Sequence, residues 1–153
     1  MSSSITFDGK VDLEEWGNAQ VATNFIGSGS FQGEDALLKT EARLMYDDTN
    51  LYISFKAFVD RDELRYSITK RDNLDDKDDR VWINIDAFDD ESLTYGIGVS
   101  AGGAQIDGRA TYGFDQSLDL VYDTKVQIFD NRYEVEMVIP FSSLRYSIAP
   151  IQT

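Results

Sequence analysis

The sequence contains neither cysteine nor histidine. These absences exclude disulfides, thiolate nucleophiles, imidazole bases and the commonest ligands of zinc and copper. No serine stands in a nucleophile-elbow context, and with 28 Asp and Glu residues some pair of neighbouring carboxylates is inevitable, so such a pair is no sign of a glycosidase. The sequence therefore predicts a protein that is not an enzyme.

Basic residues are also scarce. Lys and Arg number 14 against 28 Asp and Glu, which gives a formal net charge of -14. That charge repels phosphate backbones and anionic lipid headgroups, and no apolar run approaches the roughly 20 residues of a membrane helix. We expect no nucleic-acid partner and no direct membrane insertion. Residues 1–4 lack the basic start and apolar stretch of a signal peptide, and we interpret them as an expression remnant or a disordered tail.

What the sequence does contain is typical of β-structure. Hydrophobic residues make up 42% and aromatic residues 12% of the 153 positions, with Val, Ile, Tyr and Phe spread along the chain. No repeat or domain boundary is visible, so we predict a single domain over residues 5–153.

Local patterns predict one short helix and about eight strands. An Asp cap precedes acidic residues at 12–16, which favours a short helix carrying Trp16 at one end of the core. The apolar residues at 24–34 follow neither helical nor strand periodicity, so this segment is predicted to form a loop. The clearest hairpin has strands at 42–46 and 51–59 around an Asp-rich turn. Further strands are predicted at 64–68, 81–88, 95–99, 106–114, 120–129 and 133–139. The sequence thus predicts an all-β, antiparallel two-sheet β-sandwich, jelly-roll-like, with one short N-terminal helix.

Several segments, taken in order, resemble the family 9 carbohydrate-binding modules of bacterial extracellular proteins. They include Asp8-Gly9-Lys10, Tyr46-Asp47-Asp48, the strand from Asp79 to Asp86, and Ile139-Pro140-Phe141. The nearest version stands at the N-terminus of uncharacterised bacterial outer-membrane proteins. This resemblance implies a non-catalytic module that targets an attached or neighbouring protein to a glycan or oligosaccharide. It also implies an extracellular, periplasmic or outer-membrane-associated location.

The resemblance also marks two departures. Sugar-binding members hold a saccharide between two aromatic rings, whose positions fall here near Asp76 and beyond Thr153. A last strand would also follow Thr153, and its absence would leave an open sheet edge that invites self-association. The alternative function is therefore a structural or protein-interaction domain of an outer-membrane protein, without sugar binding.

The candidate carbohydrate-binding residues lie on the strand at 81–88. Trp82, Asn84 and Asp86 share one face, which would meet Gly96 and Gly98 if consecutive strands pair. A ring beside polar groups suits a sugar, because the ring covers its C–H face while the polar groups bond its hydroxyls. Residues predicted to line the ends of this groove are Tyr95, Arg109 and Tyr112. The structural alternatives are that Trp82 packs beneath a loop and that Arg109 forms a surface ion pair.

Carboxylates at 75–79 and 89–91 provide hard oxygens of the kind that calcium prefers. Neither cluster has the spacing of an EF-hand, so a solvated acidic loop is the alternative. We expect no cofactor, apart from a structural calcium ion if one of these clusters binds it.

Overall fold

The computed structural model describes residues 5–27, 32–73, 75–88, 93–111 and 113–145. In these ranges the chain forms one short α-helix, α1 (Leu13–Trp16), and nine strands arranged as one five-stranded and one four-stranded sheet. The predicted all-β class, with two antiparallel sheets and one short N-terminal helix, is confirmed. No helix in the described ranges is long and apolar enough to cross a membrane. The predicted tail at 1–4 and the expected place of the last strand lie outside these ranges.

All but the terminal residues of the five-stranded sheet belong to a compact unit formed by residues 1–64 and 124–138. Its strand order is β1 (Gln20–Ala22), β2 (Thr40–Tyr46), β3 (Asn50–Phe58), β9 (Arg132–Pro140) and β8 (Asp123–Ile128). The predicted hairpin is confirmed as β2 and β3, with Tyr46 opposite Leu51. Its turn is closed by Asp47, whose Oδ1 accepts from the backbone N–H groups of Thr49 (2.7 Å) and Asn50 (2.8 Å). These backbone bonds, with a further one from the Tyr52 hydroxyl, lower the pKa of Asp47 to about 2.

A buried glutamate on β9 ties the N-terminal segment to this sheet. Glu136 is fully buried, and its carboxylate accepts from the backbone N–H groups of Asp8 (2.9 Å) and Gly9 (2.8 Å) and from Trp16 Nε1 (3.0 Å). Trp16 is 1% exposed and packs with Val11 and Ala19 in a small apolar cluster. Trp16 is thus a packing residue, as predicted, and its indole N–H has a buried partner.

Burial raises the pKa of the Glu136 carboxyl, and the hydrogen bonds from Gly9, Trp16 and Asp8 only partly oppose that effect. A raised pKa in the folded state means that the folded protein takes up a proton more readily than the unfolded chain. The resulting stability is fully present below the unfolded pKa and is lost as the pH rises through the folded one. The buried carboxyl of Asp107, described below, has a pKa raised for the same reason.

We therefore predict that the thermal unfolding midpoint increases when the pH is lowered from about 7 to about 5. Relief of repulsion within a chain of net charge -14 acts in the same direction. Glu136→Gln, which cannot titrate, should show a smaller increase than the wild type. The measurement is circular dichroism melting across this pH range. A wild-type midpoint that falls steadily over the range would contradict the prediction.

The four-stranded sheet belongs to a second compact unit, formed by residues 65–123 and 139–153. Its order is β4 (Arg80–Asp86), β5 (Thr94–Ser100), β6 (Gln105–Ala110) and β7 (Phe114–Asp115). The single strand predicted at 106–114 is thus two strands, because the chain turns back after Ala110 and Phe114 pairs with it. A single domain over residues 5–153 stays a prediction.

The prediction of a strand at 64–68 is wrong, because this segment forms no strand. The polar groups of this segment are bound by the acidic loop and not by a neighbouring strand: Arg65 N–H donates to Asp79 Oδ2 (2.9 Å), and Asp79 N–H donates to the Arg65 carbonyl (2.7 Å). The apolar side chains that suggested alternation are exposed, Ile68 to 83%. The strand predicted at 120–129 begins later, at Asp123, because Leu120 N–H donates to the Asp107 carboxylate (2.6 Å).

Candidate functional site

The candidate site is one face of the four-stranded sheet, which we call the Trp82 face. Strands β4 and β5 are paired with each other, which is the condition for the predicted groove. Trp82 lies opposite Gly98, Asn84 opposite Gly96 and Asp86 opposite Thr94. Gly96 and Gly98 in turn oppose Gly108 and Ile106 of β6. Directly opposed residues of an antiparallel pair point to the same side of the sheet, so three glycines lie on this face.

The glycines allow two aromatic rings to lie directly on the backbone. A β-carbon on Gly96 would overlap Trp82 Cζ2, and one on Gly98 would lie 2.5 Å from Trp82 Cε3. A β-carbon on Gly108 would lie 2.7 Å from Phe114 Cζ. Side chains at these positions would have to displace the rings, so the small residues set where the rings sit.

Trp82 and Phe114 form a tilted aromatic pair, with ring centroids 5.4 Å apart and an interplanar angle of 60°. Trp82 is half-buried, whereas Phe114 is 47% exposed. Beside them an open groove of about 380 Å³ is lined by Arg80, Trp82, Ile106, Phe114 and Gln116. The groove therefore combines an apolar wall with one guanidinium and one carboxamide.

Polar groups of β4 lie next to the indole. Trp82 Nε1 donates to Asn84 Oδ1 (2.8 Å), which fixes the orientation of the ring relative to the exposed Asn84 side chain. The Asn84 amide nitrogen donates to no residue in the described ranges. Asp86 Oδ1 accepts from Phe88 N–H (3.1 Å) at the end of the strand.

Two of the predicted site residues do not join this face. Tyr95 and Arg109 are opposite each other in the β5–β6 register, on the other side of the sheet from Trp82. Tyr95 is buried, with its hydroxyl accepting from Arg145 N–H (3.3 Å), and Arg109 forms an ion pair with Asp115 (3.2 Å). Their predicted place at the ends of the groove is corrected by this register. Tyr112 lies outside the described residues.

Four groove residues were absent from the sequence-based set: Arg80, Ile106, Phe114 and Gln116. The sequence contains a signal for Arg80, because it stands two positions before Trp82 and so shares its strand face. Phe114 carries no such signal, since it lies on a two-residue strand whose pairing follows only from the turn after Ala110.

An internal ion network lies on the opposite side of the sheet. Asp107 is fully buried, and Arg71 Nη2 donates to its carboxylate and to the Leu120 carbonyl (2.7 Å). The Arg71 guanidinium also lies 5.2 Å from the ring centroid of Tyr122. Burial raises the pKa of Asp107 more than the bond from Leu120 N–H and the Arg71 guanidinium lower it.

This network also contacts the two strands that carry the glycines beneath the aromatic rings. The Tyr122 hydroxyl lies within hydrogen-bonding distance of the carbonyls of Gly98 (2.9 Å) and Ile106 (3.1 Å), to which it donates a shared proton. Burial, followed by the nearby Asp107 charge, raises the pKa of this hydroxyl, so it remains a donor at neutral pH. The strand pair beneath Trp82 is therefore held by Tyr122 and, through it, by Arg71.

The carboxylates considered for calcium make bonds within the chain. Asp75 Oδ1 accepts from Lys77 N–H (2.9 Å), Asp78 accepts from the Ser67 hydroxyl, and Asp79 accepts from Arg65 N–H. Elsewhere, the carboxylates of Asp72, Asp107 and Asp119 converge, but they surround the Arg71 guanidinium. Residues 89–91 lie outside the described ranges, and calcium binding stays a prediction.

Comparison with known proteins gives a family and a fold. The family described as "Carbohydrate family 9 binding domain-like" matches residues 7–152. Two solved structures of a family 9 carbohydrate-binding module from Caldicellulosiruptor kristjanssonii, one in complex with cellotriose and one with glucose, are similar. Their sequences are 21% and 22% identical to this chain, with TM-scores of 0.65 and 0.66. The alignments cover 97% and 95% of this chain and 67% and 68% of theirs. No curated protein matches the chain.

Proposed function

Because the chain belongs to the carbohydrate family 9 binding domain-like family of non-catalytic modules, we propose that it binds an oligosaccharide on the Trp82 face. The observation that carries this proposal is the aromatic pair, Trp82 and Phe114, seated on three glycines beside polar side chains. A ring that lies flat on a sheet can cover the C–H face of a pyranose, which removes apolar area from water.

The dimensions and chemistry of the groove support the same proposal. Its volume of about 380 Å³ is at the lower end of the range typical of small-ligand sites, so it suits one or two sugar rings. Sugar hydroxyls both donate and accept, and the exposed carboxamides of Asn84 and Gln116 do the same. In this proposal Asp86, at the end of β4, is an additional acceptor for a sugar hydroxyl.

We propose further that the domain acts as a targeting module outside the cytoplasm of a bacterium. Binding by a single shallow groove is weak, and such a module is useful when it raises the local concentration of an attached or neighbouring protein at a glycan. The relatives bound to cellotriose and glucose make neutral glucans the first ligands to examine.

Trp82→Ala should abolish most of the binding, because it removes the ring that would cover the sugar face. We expect affinity for a bound oligosaccharide to fall about tenfold or more, while the circular dichroism spectrum is retained. The measurement is isothermal titration calorimetry with cellotriose and a panel of oligosaccharides.

Two separate glycine substitutions test the position of the Trp82 ring without removing it. Gly96→Ala places a methyl group where the indole now lies, so the indole must move and binding should weaken. Gly113→Ala is the matched control, because no atom of the described residues, its two chain neighbours aside, lies within 4 Å of its added β-carbon. Full affinity in folded Trp82→Ala, or equal loss in both glycine variants, would contradict the proposed site.

A second candidate function is favoured by exposed apolar side chains in the other unit. Ile26 and Leu37 are 68% and 81% exposed; Ile26 pairs with Asp35 in an isolated β-bridge, and Leu37 lies two residues after Asp35. Strand β1 is an edge strand of the same unit. Such side chains suit association with another protein, a second copy included. If neither the wild type nor any variant binds the oligosaccharide panel, this structural or protein-interaction role becomes the better account.

A further inference from the structure

The groove holds a cation that has no partner within the described chain. Arg80 is exposed, and its guanidinium forms no hydrogen bond or ion pair with any residue in the described ranges, although acidic residues outnumber basic ones two to one. Arg71, by contrast, engages Asp107, the Leu120 carbonyl and the Tyr122 ring. Arg71 therefore binds groups within the fold, whereas the Arg80 guanidinium is available to a ligand.

The position of Arg80 connects this charge to the aromatic pair. Arg80 is opposite Ser100 in the β4–β5 register, two residues along the strand from Trp82 and on the same face. Arg80 and Gln116 line the groove together with both rings. A pyranose stacked on the indole would thus have a guanidinium within the same groove, next to one edge of the sugar.

We infer that the Trp82 face selects a short acidic oligosaccharide, one that carries a uronate carboxylate for Arg80. This inference rests on the proposed function and names its ligand class. The planar guanidinium can donate two parallel N–H bonds to a carboxylate, and such charge-assisted bonds are about twice as strong as those to a neutral hydroxyl. The rings take the C–H face of the same residue, and Gln116 bonds a neighbouring hydroxyl.

The net charge of the chain limits the size of this ligand. A charge of -14 repels a long polyanion from most of the surface, whereas one to three carboxylates near Arg80 experience mainly the local guanidinium. Short acidic oligomers should therefore bind better, per carboxylate, than long acidic polymers.

The test compares trigalacturonate with its fully methyl-esterified form, because the two differ in charge and share the sugar. Calorimetry at about 0.15 M salt, where the Debye length is near 8 Å, should give about tenfold tighter binding of the acid by the wild type. Arg80→Gln should bring the two affinities to within about twofold, because it keeps a polar side chain and removes the charge. Arg61→Gln, the same change at an exposed arginine of the other unit, should leave the tenfold preference intact.

Four results would overturn the inference. The wild type could bind the ester as tightly as the acid, or Arg80→Gln could keep the preference. The wild type could also bind cellotriose and neither galacturonate, in which case the proposed function stands and only the acidic specificity fails. If no oligosaccharide binds at all, the proposed function fails together with the inference.

Discussion

Glu136→Leu should destabilise the protein by about 3 to 5 kcal/mol, which is a large fraction of the stability of a domain of this size. Leucine has a similar volume, so the loss comes from chemistry and not from a cavity. The backbone N–H groups of Asp8 and Gly9 and the Trp16 indole N–H would lose their acceptor where water does not reach. Each buried donor without a partner costs about 1 to 3 kcal/mol. Urea unfolding monitored by circular dichroism measures the change.

Two further measurements make this prediction specific. Glu136→Gln keeps one accepting oxygen and should lose clearly less stability than Glu136→Leu. Fluorescence of Trp16 should shift to longer wavelength in the leucine variant if the N-terminal segment detaches. A loss below about 1 kcal/mol in Glu136→Leu would contradict the role given to this carboxylate.

Arg71→Met should cost a similar amount, about 3 to 5 kcal/mol, because it leaves Asp107 buried without its cation. Asp107 is fully buried, and the Arg71 guanidinium is the cation paired with its carboxylate. Methionine replaces the apolar stem of the arginine and lacks the guanidinium, so the variant removes the charge and the donors while the stem still packs. Differential scanning calorimetry at neutral pH measures the loss.

The double variant Arg71→Met, Asp107→Asn distinguishes the effect of a buried charge without a partner from the effect of lost packing. Asparagine removes the charge and still offers a carbonyl oxygen to Leu120 N–H, so the double variant should regain at least half of the lost stability. If the double variant is less stable than Arg71→Met alone, the buried charge is not the cause of the loss.

The sequence was sufficient for the elements that have strong periodicity. Alternation and an Asp-rich turn predicted the hairpin of β2 and β3, and an Asp cap predicted α1. Consecutive pairing implied that the Trp82 strand face meets Gly96 and Gly98, because short connections join neighbouring antiparallel strands, and the observed register agrees. Half of the candidate face was therefore predictable from local rules.

The remaining features depend on contacts between distant residues. Alternation places Glu134 and Glu136 on the same side of β9, but it does not reveal that the segment at 8–16 covers that side. Likewise, Asp107 looks like a surface strand residue until Arg71, 36 positions earlier, is known to pair with it. The short strand β7, which carries Phe114, has too few residues to show a period.

The exposed arginines illustrate the same limit. Arg109 and Arg80 flank the same β4–β5–β6 hairpins in sequence, and only the register shows that they lie on opposite sides of the sheet. Arg109 was predicted to line one end of the groove, with a surface ion pair as the alternative. Its ion pair with Asp115 depends on the turn after Ala110, which the sequence does not specify.

The most direct test of oligosaccharide binding on the Trp82 face uses the two indole N–H signals of the protein. The sequence has two tryptophans, so a proton–nitrogen correlation spectrum contains two such peaks, which Trp82→Phe assigns. On titration with an oligosaccharide that binds, the Trp82 peak should shift, while the Trp16 peak, held by buried Glu136, should stay in place. An unmoved Trp82 peak, with backbone signals shifting elsewhere in the chain, would contradict the account.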